Sequence, residues 1–459
     1  MPVESDTDSD RERLSDLQRA GNGLLLVDLY ELSMLQAFDA DGMAKTAVFE
    51  FFVRKLPPAR GFLLAAGLAQ LLDFLEGLRF SEDELAYLRR SGRFKASFID
   101  SLAEFRFTGD VDAMPEGTPC FGGEPIVRVT APLPQAQLIE SRLINLLHFQ
   151  TVIASKAARL VLSAPDISLV DFGLRRAHGA EAGLLATRAS YLAGFAGSAT
   201  LLAEPLFGIP VFGTMAHSFV EAHEDEATAF ERFARERPER LTLLIDTYDT
   251  ERAARKVVQL APRLAETGIT IAAVRIDSGD LVEHARNVRR ILDDGGLQAV
   301  TIFASGGIDE ATLRCFVEEK APIDGCGIGT SLATASDAPA LDCAYKLQEY
   351  AGVPKLKRSE GKATWPGRKQ VFRRYDDNGV MIGDAVALKD SDIPGEALLQ
   401  PVMRSGRRLA ASPTLLEVRA NAARYLTRLP EPLRRLEPYH YAVEIDARLR
   451  ALAASLSTP

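Results

Sequence analysis

The chain has 459 residues, 47% of them apolar, and a formal net charge of −9. That is enough apolar chain for a large core divided into two or three units, at roughly 150 residues each. The acidic balance argues against a nucleic-acid surface, since no basic stripe answers the phosphate field, and no apolar run reaches the ~20 residues of a membrane helix.

Residues 1–23 carry Glu4, Asp6, Asp8, Asp10, Arg11, Glu12 and Arg13 with few bulky apolar side chains, which predicts a flexible lead. The lead lacks the apolar stretch and cleavage site of a secretory signal, so a soluble cytoplasmic protein is expected. Cys120, Cys315, Cys326 and Cys343 are scattered without a CxxC pair. They are expected as buried small hydrophobes, neither a disulfide framework nor a structural zinc site.

After Asp28, a plausible N-cap, LLLVDLYELSMLQAF has helical apolar spacing, and TAVFEFFVRKLP then alternates like a strand up to Pro57-Pro58. The Gly and Pro punctuation of PEGTPCFGGEPIVRVTAPLPQ marks short antiparallel strands, giving an α+β domain over 24–135. Over 136–340 the rhythm changes. ISLVDFG, IPVFGT, LTLLIDT, ITIAAVRIDSG, VTIFASGG and IDGCGIGT alternate with amphipathic stretches such as TERAARKVVQLAPRLAETG. Short apolar runs between helices predict a parallel sheet buried on both faces. An irregular or incomplete β/α barrel is the preferred closure, with an open doubly wound sheet as the alternative. Region 341–459 reads as strands and turns rich in Lys and Arg, then an amphipathic helix in SPTLLEVRANAARYLTRLP, and is expected to pack back on the first domain.

The chemistry gathers where strands end. ASGGIDE (304–310) and GCGIGTSL (325–332) are glycine turns between a strand and a helix, where bare amide groups and a helix dipole cradle a phosphate, as barrels often do after their last two strands. Glycines also make tight turns with no ligand; two in succession favour phosphate. In RIDSGDL, Arg275 suits phosphate, and Asp277 or Asp280 suits a ribose diol or a hydrated Mg²⁺. Ser278 or Asp280 could instead cap a helix, so Asp277 is favoured and Asp280 stays open. DFGLRRAHGA places Phe172, Arg175, Arg176 and His178 past another strand, offering a flat apolar face and cations to an aromatic acid. His217 in GTMAHSF could act as base, donor or phosphate carrier, although a lone histidine is usually structural. Asp246, Thr247 and Asp249 end LLIDTYDT and could orient ribose hydroxyls or cap the next helix.

In this order, VDLYELSM, FEFFVRKLP, DFGLRRAHG, GTMAHSF, LLIDTYDT, VRIDSGDL, FASGGID, GIGTSL, YKLQEYAGVPKLKRS and PGRKQVFR resemble the nicotinate phosphoribosyltransferase family across about 24–375. The resemblance implies an irregular, incomplete α/β barrel beside an α/β domain, in a homodimer whose active sites span the interface. It implies as partners nicotinate, phosphoribosyl pyrophosphate and ATP, with Mg²⁺ as cofactor. Tyr30 of a neighbouring subunit and Phe172 would sandwich the pyridine, and Arg175 would hold carboxylate or pyrophosphate. His217 would be phosphorylated by ATP, Asp277 would contact ribose hydroxyls beside Arg275, and Ser305, Gly306, Gly307, Gly327, Gly329 and Thr330 would bind the 5′-phosphate. The metal ligands stay unassigned. GSAT (197–200) departs from the GTSN-like run common in the family. Nicotinamide and quinolinate phosphoribosyltransferases are the nearest rival readings. A Schiff-base aldolase lacks a strand lysine here, and a silent phosphosugar-binding barrel would be expected to have lost His217 or Asp277.

Overall fold

The computed structural model describes residues 23–357 and 364–457. The expected lead, apart from Gly23, and the end of the YKLQEYAGVPKLKRS motif lie outside the described residues.

The alternating middle of the chain forms a six-stranded sheet whose paired neighbours are all parallel. Its strands are β1 (Ser168–Asp171), β2 (Gly197–Ser198), β3 (Leu241–Leu244), β4 (Ile271–Ile276), β5 (Thr301–Ser305) and β6 (Gly325–Ile328), in spatial order β2-β1-β6-β5-β4-β3. Helices return the chain between strands and bury apolar stripes on the sheet. In Thr250–Ala265 the stripe is Ala253, Val257, Leu260 and Leu264, near the 3.6-residue period. Asp249, Asp280 and Asp309 each accept backbone N–H bonds in the first turn of the helix that follows β3, β4 and β5 respectively. This settles the open reading of Asp280 and that of Asp249: both cap helices.

IPVFGT was expected to be a strand, and here the structure differs. Only Val211 pairs, in an isolated parallel bridge to Ser198. Pro210 has no amide proton to extend the ladder, so the chain leaves it after one bridge. A few residues on, the Thr214 hydroxyl donates to the Thr242 carbonyl at 2.6 Å. A side chain thus spans the seam between the two edges of the sheet, where a complete barrel would have strand pairing. The incomplete, irregular barrel is therefore the correct choice over the open doubly wound sheet.

The two ends of the chain share a second, antiparallel sheet. Thr46–Val53 pairs with Pro125–Pro132 on one side and Cys343–Tyr350 on the other, and Asp110–Ala113 pairs with Gln400–Arg404. The C-terminal segment does return to the N-terminal one. A four-stranded sheet including Lys369–Tyr375 and Met381–Leu388 packs beside it. Its presence overrides the alternation of TAVFEFFV, which is buried on both faces. Glu50 looks solvent-directed by period but is shut in with Lys369, 2.7 Å away, and Arg128 donates to the Lys369 carbonyl. A long helix, Glu140–Ser163, buried nearly all round and not anticipated, runs between the sheet systems. Cys120 and Cys326 are buried as expected, but Cys315 is exposed on the helix Glu310–Glu318. No helix among the described residues is long and apolar enough to cross a membrane.

Candidate active site

The carboxyl ends of β3, β4 and β5 meet through side chains. Arg275, on β4, donates from Nε to Ser305 Oγ at 2.8 Å and from Nη2 to Asp277 Oδ1 at 2.7 Å. The Ser305 hydroxyl, at the end of β5, donates to the same Asp277 oxygen. Past β3, Asp246 Oδ2 accepts from the Asp277 amide at 3.0 Å and from Ser278 Oγ at 2.6 Å. Its other oxygen, Oδ1, is buried with no partner. Burial works to raise the Asp277 pKa, but the Ser305 hydroxyl and the Arg275 guanidinium outweigh it and hold the carboxyl below its ordinary value. It is an anion at neutral pH.

Asp277 Oδ2 is left facing His217, whose Nε2 lies 3.8 Å away, while His217 Nδ1 is 3.2 Å from Thr247 Oγ1. His217 begins the short helix His217–Glu221, delivered from the seam segment. The ring therefore sits between the ends of β3 and β4.

Phe172, just past β1, donates its amide to the Ile328 carbonyl at 2.9 Å. Its ring lies against bare backbone, and a Cβ at Gly327 would come within 2.5 Å of the ring. Phe303 packs at 5.8 Å between centroids, and the Arg275 guanidinium stands over the Phe172 ring at 5.5 Å. One cation thus touches both the aromatic platform and the carboxylate cluster. Gly327 lies inside β6 and its bareness serves the ring; Gly329, one residue past β6, caps the helix Thr330–Ala333, where Thr330 is exposed. Gly306 has φ +93°, and a Cβ there would meet the Asp277 carbonyl oxygen at 2.1 Å, so the turn after β5 and the end of β4 fit only because that atom is missing. Gly307 follows it, exposed and also left-handed.

Two of the expected residues stand apart from this cluster. Arg175, in the one-turn helix Leu174–Arg176, is exposed and its side chain has no hydrogen bond or ion pair among the described residues. Tyr30 is exposed on the helix Leu29–Ala40, donates to Glu31 Oε1 at 3.4 Å, and forms no ring pair with Phe172 within one chain. Sequence reasoning also missed Asp171. It is buried at the end of β1, where Oδ2 accepts from Thr187 Oγ1 at 2.6 Å and from Ser198 Oγ at 2.9 Å, and Oδ1 accepts from the Gly173 amide at 2.7 Å. Burial pushes its pKa up against those hydrogen bonds. The network holds the Phe172 turn to Ser198, inside the divergent GSAT run. Only the polar end of ISLVD hinted at it.

The parallel curl, with its polar side chains and bare glycine turns gathered at the carboxyl edge, defines an α/β-barrel protein of the class that binds its ligands at strand ends. Three models of one family match the chain. They are the nicotinate phosphoribosyltransferase N-terminal domain over 25–148, the family model over 167–375 and the C-terminal domain over 395–453. The chain belongs to the nicotinate phosphoribosyltransferase family. It is 50% identical over 430 residues to nicotinate phosphoribosyltransferase pncB2 of Mycobacterium tuberculosis, covering 93% of this chain and 92% of the relative. With the Bacillus subtilis nicotinate phosphoribosyltransferase the identity is 37%, over 82% of this chain and 78% of the relative. The crystal structure of human nicotinic acid phosphoribosyltransferase superimposes with a TM-score of 0.85 at 30% identity, covering 94% of this chain and all of that one.

Proposed function

We propose that this chain is a nicotinate phosphoribosyltransferase that forms nicotinate mononucleotide and pyrophosphate from nicotinate and phosphoribosyl pyrophosphate, in the cytoplasm, with transfer coupled to ATP. Family membership supports the transfer, and the joined Phe172–Arg275–Asp277–Ser305–His217 cluster is the observation that carries the site. The pyridine nitrogen already owns the lone pair that forms the bond to the anomeric carbon. The carbon–oxygen bond to pyrophosphate breaks and its electrons leave with that group. No strong base is needed, so the protein's work is alignment and charge stabilisation.

In this reading Phe172 supports one face of the ring, and Tyr30 of a neighbouring subunit covers the other. The exposure of Tyr30 beside Leu26 and Leu29 supports a dimer with its active sites at the interface. Arg175, unpaired and exposed, is free to take the carboxylate or pyrophosphate. Ionised Asp277 accepts from ribose hydroxyls. Arg275, Ser305 and the amides of Gly306, Gly307, Gly329 and Thr330 face the phosphate, while Gly327 contributes by letting Phe172 close down. His217 receives the terminal phosphoryl group of ATP, releasing ADP, and later loses it to water as inorganic phosphate, the ligase-type coupling of the reaction.

Mg²⁺ bound with pyrophosphate would neutralise the charge that builds on the leaving group. The residues fit such an ion: Asp246 Oδ1 is buried without a partner next to Asp277. No group of three or more metal-ligating side chains occurs among the described residues. Asp246 and Asp277 would therefore hold the ion together with substrate oxygens and water, as Mg²⁺ commonly requires.

The test is a product assay with phosphoribosyl pyrophosphate and nicotinate, nicotinamide or quinolinate, with and without ATP. Pyrophosphate release with nicotinamide but not nicotinate would overturn the substrate assignment. His217→Ala is expected to abolish stimulation by ATP and to retain slow transfer; full stimulation in the variant refutes the phosphohistidine.

A further inference from the structure

In its C-terminal half the helix Glu140–Ser163 carries two buried cations, Lys156 and Arg159, three residues apart and so on one face. Lys156 is 1% exposed. Its ammonium lies 2.6 Å from Glu310 Oε2 and 3.2 Å from Asp337 Oδ1. Glu310 is the first residue of the helix that follows the Gly306–Gly307 turn, and Asp337 lies seven residues beyond Thr330, past the second glycine turn. One nitrogen therefore joins the helix that follows the first glycine turn to the segment just beyond the second. Arg159 donates from Nε to Glu310 Oε1 at 3.2 Å. From the N-terminal part of the chain, Arg60 reaches Asp337 with Nε at 2.9 Å and Nη2 at 3.1 Å, and its Nη1 donates to the Val152 carbonyl of the long helix at 2.9 Å.

We infer that Lys156 is a positioning residue for the phosphoribosyl substrate, fixing the separation of the two glycine turns without touching the ligand. The inference rests on the transfer proposed above. A second link between the turns shows that their spacing is set locally: Ser331 Oγ donates to the Ile308 carbonyl at 2.5 Å. A buried ammonium also has a strong reason to keep both carboxylates close, because losing either leaves charge stranded in a poor solvent. An ion network serving stability alone has no need to draw its acids from the segments that follow both turns. The pyridine platform, built on Phe172, Phe303 and Gly327, receives no hydrogen bond or ion pair from this network, so the two substrates should respond differently.

The experiment is steady-state kinetics of Lys156→Met on the full chain, with each substrate varied in turn, plus calorimetric binding of ribose 5-phosphate to the wild type and the variant. Expected is a rise of about tenfold or more in KM for phosphoribosyl pyrophosphate, with KM for nicotinate within about threefold and ribose 5-phosphate binding weakened to match. Equal losses for both substrates, or an unchanged KM for phosphoribosyl pyrophosphate, overturn the inference. If Lys156→Met does not accumulate as folded protein, Lys156→Arg takes its place. It keeps the charge but spreads it over a planar fork, and a smaller shift confined to the same substrate is expected. An unselective shift or none overturns the inference. Should the wild type fail to transfer to nicotinate, the functional proposal falls, and ribose 5-phosphate binding still decides the role of Lys156.

Discussion

Within the four-stranded sheet Arg373 meets Asp384 with Nη2 at 2.6 Å, both side chains sealed from water, while at the rim of the barrel Asp277 and His217 stay 27% and 39% exposed and 3.8 Å apart. The first pair is closed by protein on every side; Tyr441 also donates to Asp384, and Arg373 reaches the Pro119 carbonyl. The second has an open face, and beside it Asp246 keeps an unpartnered oxygen. Closed pairs of this kind hold sheets in register and are sealed from any ligand, even though Arg373 Nη1 is itself left without a hydrogen-bond partner. Open ones hold charge in place and leave it usable, at a cost in local stability that packing elsewhere must offset.

Breaking the closed pair gives the largest effect. Arg373→Met leaves Asp384 buried without its cation and beside Glu124, whose carboxyl burial already pushes well up. A loss of about 3–5 kcal/mol is expected in urea unfolding, with kinetics per folded molecule unchanged. A change in KM at matched folding would break the comparison, because it would tie the interior pair to the rim. Gly306→Ala tests the other side. Its Cβ would collide with the Asp277 carbonyl at a left-handed φ, so the end of β4 must move. A fall of roughly 30-fold in kcat/KM, about 2 kcal/mol, is expected, with a smaller loss of stability. Full activity would show that the turn yields freely.

The same difference decides what the sequence makes legible. Arg275 and Asp277 are two residues apart, Asp246 and Thr247 adjacent, and each group closes an apolar strand, so barrel, rim and most candidate site residues stand out in short motifs. Unlike Arg373 and Asp384, which face each other across one hairpin, other closed contacts join distant segments. Lys369 sits 319 residues from Glu50, and Arg128 reaches Lys369 across 241, so no local pattern announces them. Period-two alternation therefore gives no sign that Glu50 and Arg128 are covered, because the layer that covers them is made much later in the chain. IPVF failed for another reason: its apolar run is strand-like, and only Pro210 at a barrel seam keeps it from pairing. The Asp171 network was hidden because its partners, Thr187 and Ser198, are ordinary hydroxyls on separate elements.

Glu31 sharpens the comparison, being a buried acid with no cation at all. Its neighbours are Ser141, which donates through Oγ at 2.7 Å and through its amide at 3.0 Å, the acids Asp28 and Glu140, and the Tyr30 hydroxyl; the Lys346 ammonium is taken by Glu140. Burial pushes its pKa from an ordinary 4.5 to about 7; the Ser141 bonds pull it down, and Glu140 and Asp28 add to the rise. A folded-state pKa above the unfolded one means that protonation favours folding. The stability it contributes is complete below about 4.5 and is lost as pH rises through about 7. Glu31→Gln keeps an oxygen for Ser141 and removes the charge. Relative to the wild type it should gain about 1–2 kcal/mol in urea unfolding between pH 5 and pH 8, less than the full shift allows. A gap between the two proteins that is the same at both pH values would mean that Glu31 is ionised throughout, and that Lys346 or solvent reaches it as a cation reaches the closed pairs.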